Sequence, residues 1–107
     1  MREDPNYNQR QYERMLTRID LNRSGQISVP KLIADIEALI WALESVPDEW
    51  RSTLLASWAA LVHANANALY ENGNAPNEQE RRRISEALNG LERVIKNRGP
   101  EINSYVN

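Results

Sequence analysis

The sequence predicts an all-α fold, a small bundle of about four helices with short loops, and three observations predict it. Apolar residues recur at helical spacing in four separate segments, helix-starting and helix-stopping residues fall between those segments, and no stretch alternates apolar and polar residues at the strand period. A chain of 107 residues without cysteine draws its stability from packing. At this length it buries about two-thirds of the surface its unfolded form exposes, enough for one core and a single domain spanning 1–107.

The first helix is expected to open at Asp4-Pro5, a capping carboxylate followed by a proline where the helix needs no amide donor. Tyr12, Met15, Leu16 and Ile19 then share one face, and Arg10, Arg14 and Arg18 form a solvated row opposite. A turn from Asp20 to Gly25 leads to Ser28, whose hydroxyl suits the cap of a second helix with Pro30 in its first turn. Leu32, Ile33, Ile36, Leu39, Ile40 and Leu43 make its apolar stripe, and Val46-Pro47 breaks it.

Asp48 and Glu49 suit the start of a third helix, whose face carries Trp50, Leu54, Trp58, Leu61, Ala68 and Leu69 and which is expected to end at Asn72-Gly73. Asn65 falls on the same face, as a register-setting core residue or an interface position. Asn77 with Glu80 three residues on reads as a capping box for a fourth helix, striped by Ile84, Leu88, Leu91 and Ile95 and stopped at Asn97 to Pro100. Residues 1–4 and 100–107 are expected as flexible ends.

The composition narrows the function. Thirteen Lys and Arg against fifteen Asp and Glu give a net charge of −2, too small for bulk attraction to nucleic acid or membrane. The uncharged run from Ser52 to Tyr70 has the length of a membrane span, but Ser52, Thr53, Ser57, His63, Asn65 and Asn67 interrupt it, so no membrane segment is expected. The N-terminal segment Met1 to Asn6 carries the acidic Glu3 and Asp4 where a secretory leader would place its apolar core, and the expected location is cytoplasmic.

One stretch has the outline of a calcium loop. Asp20, Asn22, Ser24, Gly25, Gln26, Ile27 and Ser28 match positions one, three and five to nine of an EF-hand, yet the twelfth position, which must supply a bidentate carboxylate, is Lys31. An ordinary helix-to-helix turn with Gly25 at positive φ is expected, with no metal and no cofactor. His63 is the single histidine, no phosphate loop, nucleophile elbow or inward carboxylate pair accompanies it, and no catalytic residue is expected.

Charge is unevenly placed. Between Lys31 and Arg51 lie Asp35, Glu37, Glu44, Asp48 and Glu49 with no cation among them. Glu37, Trp41 and Glu44 are expected to share a flank of the second helix, off its apolar stripe. A tryptophan among carboxylates has the composition of an interface anchor for an electropositive partner, unless helix one or the C-terminal tail covers it. The arginine row of helix one and Arg81-Arg82-Arg83 lack interleaved aromatics, and Arg81 to Arg83 sit where the helix dipole disfavours them. Both read as solvated faces, and direct nucleic-acid contact is not expected.

The run Ile19 through Gly25, Ile27, Leu32, Ile33, Asp35, Ile36, Glu37, Leu39, Leu43, Glu44, Val46, Asp48, Glu49, Trp50 and Trp58 resembles the small all-helical immunity proteins of contact-dependent growth inhibition and related polymorphic toxin systems. The shared pattern is a short turn with glycine and isoleucine, a leucine-rich helix carrying Asp and Glu, and an acidic pair before tryptophan. It covers about half the chain, and the uncharged stretch Ala59 to Asn67 departs from it. The resemblance implies a non-enzymatic protein that binds and neutralises a cognate toxin domain, a nuclease of the ribonuclease class. Against the cationic site of such an enzyme, Glu37, Glu44, Asp48 and Glu49 would stand in for phosphates and Trp41 would be the apolar anchor. Two readings from other classes stay open: a helical adaptor that oligomerises through the uncharged back of helix three, and a small RNA-binding bundle using the arginine rows.

Overall fold

The computed structural model describes residues 6–72 and 77–97, with side chains from 68 to 72 outside the description. The expected cap at Asp4-Pro5, the flexible ends, the roles of Ala68, Leu69 and Tyr70, and the stops at Gly73 and Gly99-Pro100 lie outside the described residues. The fold is all-α. Four helices follow in order, α1 (Tyr7–Arg23), α2 (Val29–Ala42), α3 (Asp48–Asn72) and α4 (Glu78–Lys96), and no strand occurs among the described residues.

Each helix packs against its neighbours in sequence, and α4 closes the ring on α1. The centre is filled by Tyr12, Met15 and Ile19 from α1, Leu32, Ile36 and Ile40 from α2, Trp50, Leu54 and Leu61 from α3, and Leu88, Leu91 and Ile95 from α4. These are the expected stripes. Leu16, Ile33, Leu39, Trp58 and Ile84 are only partly buried and pack around that centre. Trp58 keeps its indole N–H satisfied at the rim by donating to Ile33 O at 2.9 Å. Asn65 is half-buried.

Three boundaries differ from the sequence expectation. First, α1 starts at Tyr7, with Asn6 at the cap position and no side-chain cap bond. The first turn is instead held from outside: Tyr7 donates its hydroxyl to Ala42 O at 3.0 Å, and Asn8 binds the backbone of Glu44.

Second, α1 runs through Asp20 and Asn22 to Arg23, so the turn is shorter than expected. It closes as a Schellman cap. Gln26 N donates to Leu21 O at 2.8 Å, Gly25 N to Asn22 O at 3.0 Å, and Gly25 takes φ +83°, where glycine carries no Cβ penalty. The Asn22 side chain donates from Nδ2 to Ile27 O at 3.0 Å and braces the turn.

Third, α2 ends at Ala42 with Leu43 extended (φ −61°, ψ 142°), several residues before Pro47. Leu43 turns in to join the core, 3% exposed, and the next peptide is pinned by Asn8.

The remaining caps follow the sequence. Ser28 Oγ accepts from Lys31 N at 3.2 Å. Asn77 and Glu80 form the reciprocal capping box, with Glu80 N donating to Asn77 Oδ1 at 2.8 Å and Asn77 N to Glu80 Oε1 at 2.9 Å. Away from the core, Arg23 ties α1 to α4 by donating to Asn89 Oδ1 at 2.6 Å and Glu92 Oε1 at 3.0 Å. The hydrogen bond from Arg23 holds the Glu92 carboxyl below its ordinary value, against the opposing effect of desolvation. Among the described residues no helix is long and apolar enough to cross a membrane.

Candidate functional site

The expected site residues converge on the corner where α2 hands over to α3. Its organising side chain is Arg51, in the first turn of α3. Arg51 Nη1 donates to Ile40 O at 2.9 Å and Nη2 to Leu43 O at 3.1 Å. Terminal carbonyls of a helix lack partners within it, and they carry the negative end of its dipole, so a guanidinium there supplies both donors and charge. The same guanidinium lies over the Trp41 ring, 5.3 Å from its centroid, within cation–π range.

Trp41 is 59% exposed, and it is the large hydrophobic side chain left in solvent among the described residues. Helix α1 does not cover it. Glu37, one turn earlier on α2, shares its face and is exposed. Asp48 is exposed and lies three residues before Arg51, so it falls on the Arg51 side of α3. Glu37 and Trp41 thus share a face of α2, and Arg51 reaches Trp41 from α3.

Glu44 and Glu49 are placed differently. Because α2 has ended at Ala42, Glu44 leaves the helix and does not continue the row of Glu37 and Trp41, which corrects the shared flank expected from the sequence. Its backbone is fixed at two points by the Asn8 side chain, which donates from Nδ2 to Glu44 O at 2.8 Å and accepts from Glu44 N at 2.9 Å. Its own carboxylate is exposed. Glu49 is about 160° around α3 from Arg51, counting 3.6 residues per turn. It lines an open depression of about 330 Å³ with Pro47, Trp50 and Thr53.

Asp35 leaves the acidic set. Lys31 Nζ lies 3.0 Å from its Oδ1, and Arg18 Nε, from the row on α1, lies 3.6 Å from its Oδ2. Four exposed carboxylates remain at the corner, Glu37, Glu44, Asp48 and Glu49, and none of the four takes part in an ion pair among the described residues. The loop between the helices is strained as well as acidic, since Ser45 adopts φ +58°, a conformation uncommon for a residue with a Cβ.

Sequence reasoning missed Arg51 and Asn8. Arg51 stands ten residues from Trp41, a separation that no local spacing rule joins. Asn8 sits in a polar run, Asn6 to Gln11, where nothing distinguishes a structural amide from a solvated one. The other motifs stay apart from this corner. His63 is exposed. Arg81, Arg82 and Arg83 are exposed on α4, with Arg82 3.8 Å from Glu78. No group of three His, Cys, Asp or Glu side chains able to hold a metal ion occurs among the described residues.

Comparison of the chain with family models, with curated proteins and with solved structures finds no match.

Proposed function

We propose that the chain is an immunity-type inhibitor: a non-enzymatic helical protein that binds a cognate toxin domain and covers its cationic, nucleic-acid-binding surface with the α2–α3 corner. The observation that carries this reading is Trp41, 59% exposed and stacked under Arg51, with the exposed Glu37 one turn earlier on α2. An exposed tryptophan is costly in water and suits the centre of an interface, where aromatic anchors supply most of the binding energy. Carboxylates around it select an electropositive surface and speed the encounter. A ribonuclease surface is electropositive because its substrate is a polyanion. The corner is also preorganised by Asn8 and Arg51, so little conformational entropy remains to be lost on docking.

The test is co-expression with the C-terminal domain encoded by the neighbouring upstream reading frame, using the wild-type chain and a variant in which Glu37, Glu44 and Asp48 are all replaced by Lys. The wild type should restore growth. The variant should fold, as judged by circular dichroism, and protect poorly, with slowed association that is most evident at low salt. Equal protection by the folded variant excludes the corner as the interface. Failure of the wild type to protect against that domain, or to bind it, overturns the pairing itself.

A further inference from the structure

Arg51 is latched to the backbone on both sides of Trp41. Its Nη1 donates to Ile40 O at 2.9 Å and its Nη2 to Leu43 O at 3.1 Å, while its Cζ lies over the indole, 5.3 Å from the ring centroid. We infer that Arg51 is the positioning residue of the corner: it holds the Trp41 indole by one face in a single rotamer, so that the opposite face is presented before a partner arrives. The identity of that partner rests on the inhibitor reading. The holding of the indole does not.

Three observations support this role. First, the cation is fixed independently of the ring. A planar fork with two of its nitrogens bonded to two carbonyls cannot turn freely, and both carbonyls belong to the end of α2, where the negative end of the helix dipole meets the charge. Ile40 O also accepts from Leu43 N at 3.3 Å, so the latch closes on the same turn that ends the helix. Second, Arg51 takes part in no ion pair among the described residues. Its charge is spent on the two carbonyls and the indole face. Third, the three tryptophans differ. Trp50 and Trp58 donate their indole N–H groups to Tyr12 Oη at 2.8 Å and Ile33 O at 2.9 Å. Trp41 has no such acceptor among the described residues and is 59% exposed, so the stacked cation is the polar contact left to restrain it.

The consequence for binding follows from rotamer freedom. A helical tryptophan has two common χ1 rotamers, and in solvent it exchanges between them. A cation fixed against one face of the ring favours one rotamer, and a side chain already ordered loses less freedom on docking. Lysine cannot replace arginine here, because its ammonium is a point charge that does not bond two separate carbonyls while lying flat on a ring.

The test begins with the full chain alone, isotope-labelled, and reads the heteronuclear NOE of the three indole N–H groups. In the wild type Trp41 should be nearly as ordered as Trp50 and Trp58. In Arg51→Lys its NOE should fall clearly below theirs, with Trp50 and Trp58 unmoved as evidence that the fold persists. Arg51→Gln, which keeps an amide donor and removes the charge, is the second variant and should loosen the indole as well. A Trp41 indole already mobile in the wild type, or one that stays ordered in both variants, overturns the inference. So does a change confined to hydrogen exchange of the amides from Leu43 to Ser45, which would leave Arg51 a cap of α2 only. Binding to the C-terminal domain encoded by the neighbouring upstream reading frame separates this inference from the inhibitor reading. Arg51→Lys, with Trp41 and every carboxylate intact, should bind that domain up to about tenfold more weakly. If the indole loosens in the variants and the wild type neither binds nor protects, the positioning stands and the inhibitor reading fails. If the wild type protects while its Trp41 indole is mobile, or Arg51→Lys binds as tightly as wild type, the positioning fails and the inhibitor reading stands.

Discussion

Trp50 donates its indole N–H to the hydroxyl of Tyr12 at 2.8 Å, joining α3 to α1 inside the core with ring centroids 6.5 Å apart and planes tilted by 59°. Both residues are nearly inaccessible, at 6% and 1% exposure. The buried indole N–H thus finds its acceptor in the Tyr12 hydroxyl. Tyr12→Phe keeps the ring and removes the acceptor, leaving a buried donor unpaired, and should cost about 1–3 kcal/mol in urea unfolding. The double variant Tyr12→Phe, Trp50→Phe should cost less than the sum of the two single changes.

The clamp of Asn8 on Glu44 predicts a local effect. Asn8→Ala leaves a peptide N–H and C=O without their partners and should destabilise the chain by about 1–3 kcal/mol. Hydrogen exchange at the Glu44 amide should accelerate by more than the global loss of stability accounts for, because the loop loses its own anchor. Exchange that follows global stability alone would show that α2 and Arg51 hold the loop unaided.

Trp41 predicts a separation of stability from binding. The side chain is solvent-exposed, so Trp41→Ala should change unfolding free energy by no more than about 0.5 kcal/mol. Under the proposed inhibitor reading, binding to a toxin domain should weaken by at least about 2 kcal/mol, roughly thirtyfold in Kd. Calorimetry or surface plasmon resonance on the complex measures the second quantity. A loss confined to stability would make Trp41 a platform for Arg51 and nothing more.

The Arg23–Glu92 bridge predicts an acid-side dependence. The Arg23 hydrogen bond lowers the folded-state pKa of Glu92. Its contribution is therefore complete above the ordinary value of 4.5 and is lost as pH falls through the lowered one. The raised pKa of Arg23 acts only in strongly alkaline solution. Glu92→Gln should be less stable than wild type at neutral pH by at most about 1 kcal/mol, since the pair is partly exposed. The gap should close on acidification. A gap that persists in strong acid would assign the effect to packing.

Calcium should not bind the turn after α1. Lys31 occupies the position that needs a bidentate carboxylate, and its ammonium is engaged with Asp35 at 3.0 Å. Calorimetry with millimolar calcium should give no saturable heat, and micromolar affinity would contradict the Schellman-cap account of that turn.

The number and type of elements and most of the core are legible in the local residue pattern. Helical period is a local property, and so are the caps at Ser28 and Asn77, where a side chain satisfies amides three residues away. The candidate acidic residues were legible for the same reason, as a run of carboxylates without cations. How they are grouped depends on packing between helices. Arg18 of α1 adds to the Lys31 pairing of Asp35 that i,i+4 spacing already offers, Glu44 leaves the row because Asn8 of α1 arrests the backbone, and Trp41 acquires its cation from α3. Each of these events depends on a partner brought close by packing of the cores, at separations from ten to thirty-six residues along the chain. Local spacing specifies which face a side chain occupies. What meets it there is set by the helix that the hydrophobic core places alongside.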